Sequence, residues 1–321
     1  MKKMHTVNTN KNHGNGSVII PSYNSAKTIE YSIENLFTQS AIDRIVEIIV
    51  VDSSDDFVTE KILRKYENEG KIIYINSGIR VMPAIQRNIG VQHACGDVLL
   101  FIDADAYPEK YWAENIFKAY DDGWMAGGGS YILPDFQKND KLAKAQYYLE
   151  CNLYLDRGKP RIVELLPSCN LYCDKELFLN VGGFPEIRAS EDALFGLRIS
   201  RKTPMIFLPD AKMNHIFRDQ VKQFYDNQVL LGKYIFIYRR IHYNHFYYKH
   251  LFPYLFIPFF LIFKFFRIYI RIVFSGFKHI KDFHSSATIF FKGFFKWSQG
   301  FLEGIKDYRE NKIKYAKTEL N

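Results

Sequence analysis

Four acidic residues and one histidine carry the chemistry this sequence could do. Asp103 and Asp105 stand one residue apart at the end of VLLFIDADAYPE, residues 98–109. Two like charges this close repel unless something neutralises them. A divalent cation is the natural partner, because hard cations take carboxylate and phosphate oxygen together. Side chains alternate along a strand, so the pattern puts both carboxylates on one side with Ala104 as a small spacer. Ser190, Glu191 and Asp192 precede the apolar run ALFGLRI. An acidic pair at a helix start is favourable cap electrostatics, and it is equally a place for a general base. His215 follows the short strand IFLPD and reads either as a structural imidazole or as a ligand.

The elements that must position these groups alternate regularly. SVIIPSYN predicts a strand from Ser17, and the helical spacing of Ile29, Ile33, Leu36 and Phe37 follows it. VEIIVVD is a buried-strand run ending at Asp52. SSDD then supplies capping carboxylates for a helix, FVTEKILRKYENEG, that closes at Gly70. KIIYIN predicts the third strand, VMPAIQRNIGVQHACG the third helix with Pro83 in its first turn, and DVLLFIDAD the fourth strand. Nearly continuous apolar strands alternating with helices imply a mostly parallel α/β sheet covered on both faces. Ligands bind such sheets beyond the carboxyl ends of the strands, where Asn24, Asp52, Asp103 and Asp105 all fall. GGGSYI predicts a further strand and LAKAQYYLECNLYL a helix.

The ordered set VIIPSYN, VVDSSDD, QRNIG, FIDADAYP, VGGFPE, SED and a following His resembles family 2 glycosyltransferases of the GT-A (Rossmann-like) fold, over about residues 17–232. The resemblance implies that Ser22, Tyr23, Asn24, Asp52 and Asp55 hold the base and ribose of a nucleotide. Arg87 and Asn88 match the family's Arg-Asn, which either touches the ligand or braces the loops. Asp103 and Asp105 match the metal-binding Asp-x-Asp, with Asp105 the direct ligand. His215 matches a position that assists the metal or diphosphate. Gly182, Gly183 and Phe184 match the loop bordering the acceptor, and Asp192 matches the catalytic base with Glu191 beside it. The implied reaction is inverting sugar transfer from a nucleoside-diphosphate sugar, UDP by default with dTDP and GDP open. The implied cofactor is Mn²⁺ or Mg²⁺, and the acceptor is a hydroxyl of a glycan or lipid-linked molecule. The Gln-x-x-Arg-Trp motif of the processive synthases is missing, which points to single addition. Two other readings are a non-catalytic membrane-bound scaffold of the same fold and a sugar-nucleotide nucleotidyltransferase. Intact Asp105 and Asp192 disfavour the first. The missing Gly-rich, Arg-containing loop after the first strand disfavours the second.

Composition divides the chain in three: a lead-in over 1–16, an α/β domain over 17–230, and a basic aromatic helical region over 231–321. The lead-in, MKKMHTVNTNKNHGNG, has lysines but no apolar core of a signal peptide and reads as disordered. The last region holds 16 Lys and Arg against 5 Asp and Glu, a net of +11, and 27 of the chain's Phe, Tyr and Trp residues. Within it HLFPYLFIPFFLIF is shorter than a membrane-crossing helix and carries Pro253 and Pro258. SSATIFFKGFFKWSQGFLEGI predicts a helix capped by serine, with a stripe of Phe290, Phe294, Trp297 and Phe301 and with Lys292 and Lys296 off it. That pattern fits a helix lying in an anionic leaflet, so the sequence predicts a protein on the cytoplasmic face of the cell membrane. No nucleic-acid-binding motif accompanies the charge, and nucleic acid is not expected as a partner. Cys95, Cys151, Cys169 and Cys173 lack metal-site spacing and read as reduced thiols, although Cys169 and Cys173 could share a helix face.

Overall fold

A computed structural model of the chain describes residues 14–243 and 252–310. Most of the predicted lead-in, and residues 250–251 of the first aromatic run, lie outside the described residues. Strands β1 (Gly16–Ser22), β2 (Ile45–Asp52), β3 (Ile73–Asn76) and β4 (Val98–Ile102) form the parallel half of a nine-stranded sheet. Val18, Ile19, Ile20, Val50, Val51 and the whole of β4 are buried, as expected for strands covered on both faces. Strands β5 (Ala106–Pro108), β6 (Ala126–Ile132), β7 (Arg161–Val163), β8 (Asn170–Asp174) and β9 (Met205–His215) complete it in the order β3-β2-β1-β4-β8-β6-β9-β5, with β7 on β9. The sheet is mixed, because β8 runs antiparallel to β4 and to β6.

The helices of the parallel half follow from their spacing and caps. Helix α1 (Ile29–Phe37) buries Ile29, Ile33 and Leu36 on one stripe. Asp56 caps α2 (Phe57–Asn68) by accepting from Thr59 N at 2.5 Å, and Gly70 closes it with a φ of 67°. Helix α3 (Pro83–His93) starts with proline in its first turn, where no donor is lost. Helix α4 is Trp112–Asp121. Asn170 of β8 ties the other half of the sheet, at β6 and β9, to α4. It donates to Ser130 O and Ala211 O, both at 3.0 Å, and accepts from Trp112 Nε1 at 2.8 Å, with every partner buried. Cys169 immediately precedes β8 and Cys173 lies within it, so the two do not share a helix face, and no disulfide joins the cysteines.

By packing, the chain forms two compact units. The first comprises residues 1–130, 158–185 and 195–213, and the second comprises 131–157, 186–194 and 214–321. The second is helical: α5 (Lys141–Glu150), α8 (Val221–Tyr243), α9 (Phe252–Phe274) and α10 (Phe277–Arg309). Two shorter helices precede these last three, α6 (Lys175–Asn180) and α7 (Glu191–Ser200). Helix α8 runs without a break through residues 230 and 231. Helix α5 stops at Glu150, short of the predicted end at Leu155, because Tyr154 O takes the backbone N–H of Tyr131 and Leu155 bridges Tyr131.

One expectation for the basic region is overturned. Helix α10 begins eight residues before Ser285, and Ser285 and Ser286 bond back to Asp282 O inside it. The stripe Phe290, Phe294, Trp297 and Phe301 is buried in the protein. Trp297 and Phe301 pack with Phe236 of α8 and with Ile305. Gly300 lets α8 approach this face, since a Cβ there would strike the backbone oxygen of Val229. An aromatic stripe at helical spacing records burial, and here the burying surface is α8 together with Phe260 of α9, which stacks on Trp297 and Phe301.

Candidate active site

Strand register brings the polar groups to one level. Ser22 pairs with Asp52, and Asp52 with Asn76, at the last residues of three adjacent parallel strands. Beyond them the loop after β1 is laced to the loop after β2. Asn24 adopts a left-handed φ of 49°, a conformation its short amide tolerates. Its Nδ2 donates to Asp55 Oδ1 at 2.7 Å and its Oδ1 accepts from Asp55 N at 3.1 Å. Tyr23 donates its hydroxyl to Asp55 Oδ2 at 3.1 Å, and the Arg80 guanidinium lies 4.2 Å from the Tyr23 ring centre. The Asn24 amide and the Tyr23 hydroxyl hold the Asp55 carboxyl below its usual range. Lost hydration, and then the bond to Asp55, raise the Tyr23 phenol. An aromatic ring, a carboxylate and amide groups on the rim of two strands form a surface suited to a planar base and its hydroxyl-bearing sugar.

Asp52 lies deeper, buried, with Oδ1 accepting from Ser54 at 2.6 Å. Burial and the Asp52 charge push Tyr74 up to about 12. The Ser22 hydroxyl bonds the Ser25 hydroxyl at 2.7 Å. Gln86, a residue not singled out from sequence, ties these ends to α3: its Nε2 lies 2.6 Å from Ser22 O and 2.8 Å from Val51 O. Its only sequence signal was its place beside Arg87 and Asn88 in a helix facing the strand ends.

The Asp-x-Asp stands differently from the strand reading. Strand β4 ends at Ile102, and Asp103 to Asp105 make a turn closed by Ala106 N donating to Asp103 O at 3.0 Å. The pairing with β1 reaches only Phe101 and that with β8 only Ile102, so strand alternation does not orient these two carboxylates. Arg87, 3% exposed at its side chain, donates to Asp103 Oδ1 at 2.6 Å. Among the described residues no group of three or more His, Cys, Asp or Glu side chains is assembled to hold a metal. A two-carboxylate turn at a strand end nonetheless fits a cation of the Mg²⁺ kind, which is bound by one or two carboxylates and completed by substrate phosphate.

Asn88 answers whether the Arg-Asn pair braces loops. Its Nδ2 donates to Phe184 O at 2.8 Å and its Oδ1 accepts from Phe184 N at 3.0 Å, a two-point clamp on the backbone of one residue. Gly182 and Gly183 carry φ of 81° and 66°, and their N–H groups close the end of α6 on Leu179 O and Phe178 O. A Cβ on Gly183 would also meet Asn88 Oδ1 at 2.9 Å. Phe184 packs edge-on to Phe101 of β4, ring centres 5.1 Å apart, and lies 5.4 Å from the Arg87 guanidinium. The Gly182–Phe184 loop is thus held by the same helix that holds Asp103.

The remaining sequence candidates belong to the second unit. Glu191 and Asp192 open α7 after Ser190, which takes a left-handed φ of 63°. Asp192 Oδ1 accepts from Ala193 N at 2.7 Å. Burial, with the Asp192 charge next, drives the Tyr154 phenol far above its usual range. His215 ends β9, its ring 4.7 Å from that of Phe217 and 6.3 Å from that of Tyr131.

Comparison with known proteins accords with this geometry. The model of the family described as glycosyl transferase family 2 matches residues 17–176. Poly(ribitol-phosphate) beta-N-acetylglucosaminyltransferase TarS of Staphylococcus aureus is 35% identical over 98 residues, 29% of this chain and 17% of that protein. The pre-mycofactocin glycosyltransferase of Mycobacterium tuberculosis is 24% identical over 240 residues, 68% of this chain and 46% of that protein. The chain therefore spans less than half the length of these curated relatives. Among solved structures, the mannosyltransferase PcManGT from Pyrobaculum calidifontis, in complex with GDP-Man and Mn²⁺, superposes with a TM-score of 0.58 at 17% identity. The match covers 91% of this chain and 86% of that one, a likeness of fold.

Proposed function

This chain carries a family 2 glycosyltransferase domain, and from that premise we propose that it transfers one sugar from a nucleoside-diphosphate sugar to a hydroxyl of a glycan or lipid-linked acceptor, with inversion. The observation that carries the donor half is the laced strand-end rim: Asn24 and Tyr23 on Asp55 beside Asp52, with the Asp103–Asp105 turn braced by Arg87. UDP is the nucleotide favoured by the family pattern, with dTDP and GDP as competitors.

In this reading the Tyr23 ring and the Asp52 and Asp55 carboxylates receive base and ribose. Asp103 and Asp105 would hold Mn²⁺ or Mg²⁺, which supplies positive charge for the diphosphate as it departs. Arg87 fixes the Asp103 carboxylate beforehand, so little reorganisation is needed when charge develops. The Gly182–Phe184 loop, clamped by Asn88, borders the acceptor. Asp192 takes the proton of the acceptor hydroxyl while that oxygen bonds to the anomeric carbon. The bond from that carbon to the phosphate oxygen breaks, and its electron pair leaves with the nucleoside diphosphate. His215 is assigned to the diphosphate side by the family pattern alone.

A panel of UDP-, dTDP- and GDP-sugars with Mn²⁺ or Mg²⁺ tests the reading directly. Donor-dependent, metal-dependent release of nucleoside diphosphate is expected. Asp105→Asn should weaken metal-dependent donor binding. Asp192→Asn should keep donor binding and lower turnover by about a thousandfold, the scale of a lost general base. Near-normal turnover in Asp192→Asn would remove that residue from the chemistry.

A further inference from the structure

Helix α9 turns a phenylalanine-rich face outward. Two of its three basic groups turn inward: Lys264 Nζ lies 2.8 Å from the Trp297 ring centre, and Arg271 donates to Asn152 Oδ1 at 2.7 Å. The third, Arg267, is exposed, its guanidinium 5.6 Å from the Phe263 ring centre, and adds to the positive fringe. Ile268 and Ile272 are buried, but one stripe of large apolar side chains turns outward at helical spacing. Phe263 is 61% exposed, Phe274 is 76% exposed, and Phe266 and Ile270 lie between them. The stripe continues onto α10 with Phe277, 81% exposed, and Phe295, 66% exposed. The two helices run antiparallel around Ser275 and Gly276, with Phe265 against Phe291 and Tyr269 against Phe283. An ordinary surface helix of a folded domain buries this face, and a contiguous exposed patch of this kind marks a contact with something apolar.

The charges around the patch identify what it meets. Helix α9 contains no Asp or Glu. Exposed Lys278, Lys281, Lys292 and Lys296 interleave with the outward phenylalanines of α10. The acids of α10 are engaged elsewhere: Asp282 with Lys144 at 2.7 Å, Asp307 with Lys233, and Glu303 with Gln299. A second copy of this chain would bring the same positive fringe and be repelled. A surface apolar within and anionic at its rim complements the patch, and a bilayer with acidic headgroups has that composition. Among the described residues no helix is long and apolar enough to cross a membrane. We infer that the outward face of α9, with Phe277 and Phe295 of α10, is the surface by which this protein lies on an anionic lipid bilayer. The face differs from the Phe290–Phe301 stripe that periodicity suggested, and the inference stands independently of the sugar-transfer reading.

Flotation of the full chain with phosphatidylcholine vesicles, with and without phosphatidylglycerol, tests it. The protein should float with the phosphatidylglycerol vesicles, less well on phosphatidylcholine alone, and less well as salt rises. The pair Phe263→Glu and Phe274→Glu should lower partitioning at least about tenfold, since each replaces a bilayer-buried aromatic ring with a charge that the bilayer excludes. Lys292→Glu with Lys296→Glu should flatten the salt dependence. Unchanged circular dichroism in each variant keeps misfolding out of the comparison. Failure of the wild type to float, or variants floating as the wild type does, would overturn the inference. So would a solution dimer, seen by light scattering, that the same phenylalanine substitutions dissociate.

Discussion

The strand-end rim and the α9–α10 hairpin solve opposite problems with opposite patterns. At the rim, polar groups gather at the edge of an apolar sheet, and each is met by another polar group: Asn24 by Asp55, Asp52 by Ser54, Asp103 by Arg87. In the hairpin a stripe of apolar groups faces outward while two cations face in, Lys264 onto Trp297 and Arg271 onto Asn152, and other lysines fringe the stripe. The first arrangement preorganises charge for a ligand that brings its own charge. The second exposes hydrophobic area that water penalises, the arrangement expected of a face that meets the bilayer inferred above. The difference teaches that polarity within one chain is placed according to the partner expected at each surface.

The largest effect should come from breaking the scaffold under the rim. Asn170→Ala removes one side chain and strands Trp112 Nε1, Ser130 O and Ala211 O in the interior. Each unsatisfied buried group costs about 1–3 kcal/mol, so the variant should lose roughly 3 kcal/mol or more. Chemical denaturation should show a lower midpoint at an unchanged slope. If stability held, the polar hub would not be what organises this part of the sheet, and the contrast with the hairpin would weaken.

A smaller, local effect is expected from Asn88. Asn88→Ala releases both bonds to the Phe184 backbone but leaves Arg87 and the fold in place. Turnover should drop about tenfold through misplacement of the acceptor-side loop, with the KM for donor nearly unchanged. Loss of donor affinity instead would show that the residue belongs to the nucleotide rim.

How much of this was legible in the sequence follows the same division. The parallel strands, the capping Asp56 and the closing Gly70 were readable because apolar runs and turn chemistry are local. Strand ends could be ranked as a site for the same reason. The Asp103–Asp105 turn was misread as strand, since nothing in FIDAD says where the ladder to β1 stops. Gln86 and Asn88 act across more than sixty residues of chain, a distance that composition and spacing do not report. In α10 the period of the Phe290–Phe301 stripe was right and its partner was wrong. In α9 phenylalanines occur on every side, so no period could tell the inward face from the outward one.

The smallest effect should be at the cation the hairpin buries. Burial, reinforced by the Arg239 charge, holds the Lys264 ammonium well below its usual pKa. A cation so placed is costly to desolvate, and its attraction to Trp297 offsets that cost only in part. Lys264→Met keeps the length and apolar stem of the side chain. The variant should be as stable as the wild type or up to about 1 kcal/mol more stable, measured as a shift in denaturation midpoint. Its partitioning onto anionic vesicles should be unaltered, because this charge faces the protein. Marked destabilisation would mean that Lys264 holds α9 against α10, and the hairpin would then depend on polar placement as strictly as the rim does.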